Sequence, residues 1–247
     1  MKTVSIGDTH GLAVADIVSE IIDNHDKFIF AGDYVDSFTI DDLTIQKNLV
    51  DLIELKKKYP EKIILLLGNH DIQYLLGYDK YGCSGYRPKM QLSLYELFSK
   101  NRDLFLFSYQ INNTIWTHAG IHKGWYEYRL LPFLKKNGKE SLTISEQLNF
   151  AFKQNYHTLF DVGYIRGGTL NVGGPIWCDI SELKSSPIKN YNQIVGHNIV
   201  KNKQIINVYN IEIAFIDVLQ NKELLNKDLF YYKEFKSYKH NKKIPIK

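Results

Sequence analysis

Five short apolar runs in this chain each stop at a small polar cluster, and that arrangement restricts the fold more than any other feature. Residues 3–6 run into Gly7-Asp8-Thr9-His10-Gly11, and residues 28–30 into Ala31-Gly32-Asp33-Tyr34. Residues 63–67 run into Gly68-Asn69-His70-Asp71, residues 115–117 into His118-Ala119-Gly120, and Ile194-Val195 into Gly196-His197-Asn198. Such short runs, β-branched or aliphatic nearly throughout, are the pattern of strands buried on both faces. Between them, residues 12–22 and 43–55 place apolar side chains at three- and four-residue spacing, as amphipathic helices do. The second runs into Lys56-Lys57-Lys58, where cations suit a helix C-terminus. Strand, helix, strand, helix, strand implies βαβ units and a largely parallel sheet. Residues 204–208 and 212–218 read as a further pair of strands. The expected class is α/β, a layered sheet with helices on its outer faces. In such sheets ligand sites gather beyond the carboxyl ends of the strands, so the five clusters can meet at one edge.

The clusters supply Asp8, His10, Asp33, Asn69, His70, His118 and His197. Carboxylate, imidazole and amide oxygen are hard-to-borderline donors, suited to Mn²⁺, Fe, Zn²⁺ or Mg²⁺ rather than to metals that seek thiolate. So many donors exceed the needs of one ion and match two ions sharing a bridging carboxylate, the arrangement that clamps both oxygens of an in-line phosphoryl displacement. Singly, each cluster has a plainer reading. Asp-x-His at a strand end caps a helix, and Asn-His-Asp after glycine makes a turn. Together, in this order and all at strand ends, they are hard to assign to chance: Gly-Asp-x-His-Gly and Gly-Asn-His-Asp should each arise about once per thousand chains of this length.

These blocks, with Gly32-Asp33-Tyr34-Val35-Asp36, resemble the successive motifs of the calcineurin-like metallophosphoesterases. Tyr-Val-Asp in the second block and His-Ala-Gly in the fourth resemble the phosphoprotein-phosphatase branch, which also includes symmetrical diadenosine tetraphosphatases. The resemblance spans about residues 5–198. It implies an α/β/β/α sandwich with mixed sheets and flanking helices. It also implies two divalent ions, Mn²⁺ foremost, with Fe, Zn²⁺ or Ni²⁺ as alternatives. By motif position Asp8, His10 and His197 would hold one ion, Asn69 and His118 the other, and Asp33 would bridge them. His70 would protonate the leaving-group oxygen, with Asp36 orienting it. The implied reaction is hydrolysis of phosphomonoesters by direct attack of a metal-bridging hydroxide, without a phosphoenzyme.

The sequence departs from that branch at one telling place. After Tyr-Val-Asp the branch continues with Arg-Gly, whose arginine grips phosphate, whereas here Ser37-Phe38 follows. A hydroxyl cannot replace a charged bidentate fork. Arg166, in Tyr164-Ile165-Arg166-Gly167-Gly168, and Arg87, in Gly85-Tyr86-Arg87-Pro88, are the candidates to take over substrate binding, with Asn69 beside them. Each also has the plain reading of a surface arginine. Gly174-Pro175-Ile176-Trp177-Cys178-Asp179 resembles a Trp-containing block of this branch, either a cleft wall or a loop anchor. His122 and His157 read as structural, and His25 and His240 as exposed.

The substrate expected first is a phosphorylated protein, at phosphoserine or phosphothreonine. A dinucleoside polyphosphate or another nucleotide is the alternative, stacked on aromatics of the insert between Gly77 and Tyr86. A nuclease and a metal-free binding module rank lower. Net charge is +4, but eight of the 31 Lys and Arg and only three of the 27 acids lie from Asn221 onward, so the remainder is close to neutral. A nucleic-acid partner is therefore not expected. The expected organisation is a catalytic domain over 1–220 and a basic, aromatic extension over 221–247 that packs on it or trails from it. Two cysteines argue against a disulfide framework. No apolar run suits a signal peptide or a membrane span. The expectation is a cytoplasmic monomer.

Overall fold

Residues 1–219 and 225–236 are described by the structure, a computed structural model. Of the basic stretch from Asn221 onward, residues 221–224 and 237–247, including Tyr238 and His240, lie outside the described residues.

Among the described residues, ten strands form two five-stranded sheets. In chain order they are β1 (Lys2–Ile6), β2 (Lys27–Phe30), β3 (Ile63–Leu66), β4 (Phe105–Leu106), β5 (Tyr109–Ile111), β6 (Thr114–Trp116), β7 (Asn192–Val195), β8 (Gln204–Val208), β9 (Ile211–Phe215) and β10 (Tyr231–Glu234). The first sheet has the order β10-β1-β2-β3-β4, and the second β5-β6-β7-β9-β8. β1 to β4 run parallel, with Val4 opposite Phe28 and Phe30 opposite Leu65. β6, β7 and β9 are likewise parallel, while β5, β8 and β10 are antiparallel edges. Both sheets are thus mixed, with helices flanking them. β10 lies in the stretch from Asn221 onward and pairs Tyr231 with Ser5 and Glu234 with Lys2.

Alternation along the strands divides the core. Ile29, Ile64 and Leu66 of the first sheet meet Trp116, Ile194 and Ala214 of the second in the layer between the sheets. Phe28, Phe30, Ile63 and Leu65 point the other way, to the helices. Such two-sided burial is why these runs are apolar throughout. Ser5 is an exception, and its hydroxyl accepts from Trp116 Nε1 at 2.9 Å, which answers a polar group in the layer.

Three helices follow the parallel strands of the first sheet. α1 (Ala15–Ile21) is shorter than the apolar spacing over 12–22 predicts. Gly11 has φ +83°, and Leu12 N–H donates to Thr9, so the first residues of that pattern form a turn closing the Asp8–His10 loop. α2 (Asp42–Lys58) is capped by Asp41, which accepts from Thr44 N–H, and it buries Ile45, Leu49, Leu52 and Ile53. α3 (Asn69–Leu76) starts on the third cluster itself. His25, expected to be exposed, is half-buried between Phe28 and Tyr232. Among the described residues no helix is long and apolar enough to cross a membrane.

Candidate metal centre

The loops that leave β1, β2, β3, β6, β7 and β9 gather at one cleft of about 450 Å³. Asp8, His10, Asp33, Asp36, Asn69, His70 and His197 line it, and His118 lies fully buried behind them. His10, Asp33, Asp36 and His197 all hold positive φ, between 41° and 64°. Few residues other than glycine adopt that region, and where they do the surroundings enforce it, characteristically at functional sites. Here the enforcement is visible: the Asp33 carbonyl accepts from Thr9 N–H at 3.1 Å and His10 N–H at 2.8 Å, locking the first loop to the second.

Each ring is aimed by its back nitrogen. His10 Nδ1–H donates to the carbonyls of Val35 and Asp36 at 2.8 and 2.9 Å, leaving Nε2 toward Asp33. His118 Nδ1–H donates to Ala31 O at 2.9 Å, and its Nε2 lies 2.9 Å from Asn69 Oδ1 and 3.2 Å from Asp33 Oδ2. Orientation through the second nitrogen is the usual support of a metal-binding imidazole. His197 N–H donates to the Asp8 carboxylate, while its buried Nε2 has no hydrogen-bond partner among the described residues. Burial, then the charges of His118 and Arg166, hold His197 well below the ordinary imidazole pKa, in the neutral form a ligand requires.

The donor set fits divalent ions on three grounds. His197 Nε2 is buried without a partner. Burial, followed by repulsion from Asp217, pushes the Asp8 carboxyl well above its usual range, and a cation relieves that stress. At Gly68 and Gly196 a Cβ would lie 2.1 Å from Asp33 Oδ1 and Asp8 Oδ1 respectively, so the backbone is bared to admit the carboxylates. Donor atoms of Asp33, His118 and His197 lie within 4.8 Å of one another, as do those of His10, Asp33 and His70. The His197 ring thus groups with Asp33 and His118, while its backbone N–H meets Asp8.

The model of the calcineurin-like phosphoesterase family matches residues 1–156. The chain belongs to that family. This calcineurin-like phosphoesterase is accordingly a metal-dependent hydrolase. A cold-active protein-tyrosine phosphatase of a psychrophilic Shewanella has a similar structure, with TM-score 0.51 at 17% identity over 88% of this chain and 71% of that one. A second structure of a cold-active protein tyrosine phosphatase gives TM-score 0.54 at 17% identity, over 88% and 69%. At that identity the likeness is one of fold. A search of curated proteins found no match.

Around the phosphoesterase's donors lies a second set of groups. His70 N–H donates to Asp33 Oδ1 and His70 Nδ1–H to Asp36 Oδ2, both at 2.9 Å. Asp36 is itself held by Gln73 Nε2 and Tyr74 Oη. Burial would lower the His70 pKa, but Asp33 and the hydrogen bond His70 donates to Asp36 outweigh it and leave the ring well above its ordinary value. Arg166 lines the cleft, with Nε 3.0 Å from Asp179 Oδ2 and Nη2 donating to Asn198 Oδ1. Arg87 is not brought to the cleft. Its guanidinium binds Asp42 and the carbonyls of Ser37 and Ile40, bracing the loop where the branch carries its arginine. Trp177 lines the cleft and meets the His197 ring edge-on at 5.6 Å.

Three residues escaped the sequence reading. Cys83 lies beside His70 and Asp36. Asp71 accepts from Asp33, Tyr34 and Gly68 N–H at 2.8–2.9 Å and so ties the second cluster to the third. Asp217 lines the cleft just beyond β9. Its signal was the same as for the others, a polar residue ending an apolar run, without the flanking glycine.

Proposed function

We propose that this phosphoesterase hydrolyses phosphomonoesters at two divalent ions, Mn²⁺ foremost, and that its substrate is phosphoserine or phosphothreonine in a protein. The observation that carries the reading is the Asp36–His70 pair, hydrogen-bonded at 2.9 Å and anchored to Asp33 through the His70 N–H. Asp8 and His10 would hold one ion, Asn69, His118 and His197 the other, with Asp33 between them. The ions, when bound, supply Lewis acidity toward phosphoryl oxygens and lower the pKa of water at the centre.

The chain's own groups do the rest. His70, held by its hydrogen bond to Asp36, delivers its proton to the leaving oxygen as the P–O bond breaks. Asp36 fixes the ring so that Nε2 faces the substrate. Arg166 supplies the guanidinium in the cleft and binds a phosphoryl oxygen there. Cys83 and Cys178 are both free thiols, which supports a reducing compartment, the cytoplasm.

A nucleotide substrate is the second reading, and one observation favours it. Phe38, 82% exposed, and Trp177 both line the cleft and offer faces to a base. The insert aromatics do not line the cleft: Tyr78 and Tyr86 stack on each other at 4.0 Å, and Tyr81 packs edge-on against Phe160. The deciding experiment is Mn²⁺-dependent release of phosphate from a phosphothreonine peptide and of ADP from diadenosine tetraphosphate, with His70→Asn alongside. Turnover of the peptide, lost by roughly 10²–10⁴-fold in the variant, is expected. Cleavage of the dinucleotide alone would move the assignment to nucleotides, and no turnover of either would sink the phosphomonoesterase reading.

A further inference from the structure

Asp217 is 1% exposed, lines the cleft, and neither of its carboxylate oxygens accepts a hydrogen bond among the described residues. Buried carboxylates are ordinarily paired, hydrogen-bonded or bound to metal. The Asp33 carboxylate adds to the burden of burial, and the charges of His118 and His70 and the neighbouring Asp8 relieve it only in part. Its place is built into the backbone. At Gly7 a Cβ would lie 2.4 Å from Ile216 O and 3.0 Å from Asp217 Cα, so the glycine lets the end of β1 close onto the chain leaving β9. Val200 N–H donates to the Asp217 carbonyl at 2.9 Å and holds that segment from the other side. The approach brings a carboxylate of the second sheet to the cleft beside Asp8 of the first.

From this geometry we infer that Asp217 is a further ligand of the metal centre, on the Asp8 side. The inference rests on the two-ion reading above. Asp8 and Asp33 are the carboxylates of the six donors named from the motifs, and two divalent ions carry twice their charge. Asp217 supplies a third carboxylate. It also divides the centre chemically. The His118 side is rich in nitrogen, through His118 and His197, whereas Asp8, Asp33 and Asp217 make the other side rich in oxygen, the donor set that hard ions such as Mn²⁺ and Mg²⁺ prefer.

The test is a calorimetric Mn²⁺ titration of the full chain and of Asp217→Asn, which keeps the shape and removes the charge. Both proteins should bind two ions, with one site weakened about 10–100-fold in the variant, as when a group supporting a metal is lost. Melting separates this from damage to the fold. In chelator the variant should melt at or above the wild-type temperature, since a repelling buried charge is gone, and with saturating Mn²⁺ the order should reverse. Asp217→Glu, which keeps the carboxylate, should recover part of the lost affinity. Unchanged binding of both ions in Asp217→Asn, or equal weakening of both sites, would overturn the assignment. Failure of the wild type to bind Mn²⁺ at all would instead remove the two-ion reading, and this inference with it.

Discussion

Asp33 meets more of the site than any other side chain. Its Oδ1 accepts from His70 N–H, its Oδ2 faces His10 and His118, and its carbonyl ties down the first loop. His70 is held from both ends, by Asp33 at the backbone and Asp36 at the ring. Asp36→Asn should therefore leave metal binding intact and lower kcat roughly 10–100-fold, the cost typical of losing an orienting partner. Adding it to His70→Asn should lower kcat little further, because groups that act as a unit are not additive. Steady-state rates of the two single variants and the double variant check this; independent, multiplying losses would dissolve the pair. The residues named from their strand-end clusters were legible one by one, since a carboxylate or imidazole beside glycine announces itself. Asp71 was not, because its role exists only when two loops 38 residues apart come together.

At the level of elements, continuous apolar runs marked the strands and three- to four-residue spacing marked α2, because burial on both faces or on one stripe writes directly into sequence. Less legible were the edges. β4 and β5 are two and three residues long, too short for a pattern, and β10 lay in a stretch read as a charged extension. Caps built from unusual residues were hidden as well. His122 Nδ1 accepts from Gly124 N–H at 3.0 Å and Trp125 N–H at 3.4 Å at the start of the helical segment from Lys123. Only the unprotonated ring can accept, and burial lowers its pKa in the fold. The unfolded chain thus takes up a proton first, so this contribution is complete above about pH 6.5 and declines as pH falls toward the lowered folded value. His122→Asn keeps a capping acceptor without that titration. Urea melts from pH 8 to pH 5 should show a constant stability difference between the two proteins above about pH 6.5, shifting in favour of the variant below it. A difference that does not change with pH would remove His122 as a titrating cap.

Over the whole molecule, the cleft is where the two sheets are tied together by polar groups. Asp8, His10, Asp33, Asn69 and His70 follow strands of the first sheet, and His118, His197 and Asp217 follow strands of the second. Elsewhere the layer between them is built mainly from Ile29, Leu66, Trp116 and Ile194, with the Ser5–Trp116 hydrogen bond as a polar contact within it. The ends of the sheets therefore press carboxylates together, and ions bound there would link the two halves in the folded state alone. Binding confined to the native state stabilises it by about 2.7 kcal/mol per site at a hundred times Kd. For a chain of this size each kcal/mol moves Tm by about 2–4 °C. Saturating Mn²⁺ should accordingly raise Tm by about 5–10 °C for one site at that concentration, and chelator should reverse the rise. Asp33→Asn, which removes the carboxylate shared by both sides, should melt at nearly the same temperature with and without Mn²⁺. The same rise in that variant would mean that the ions act elsewhere on the chain, and the cleft would lose its claim to join the sheets through metal.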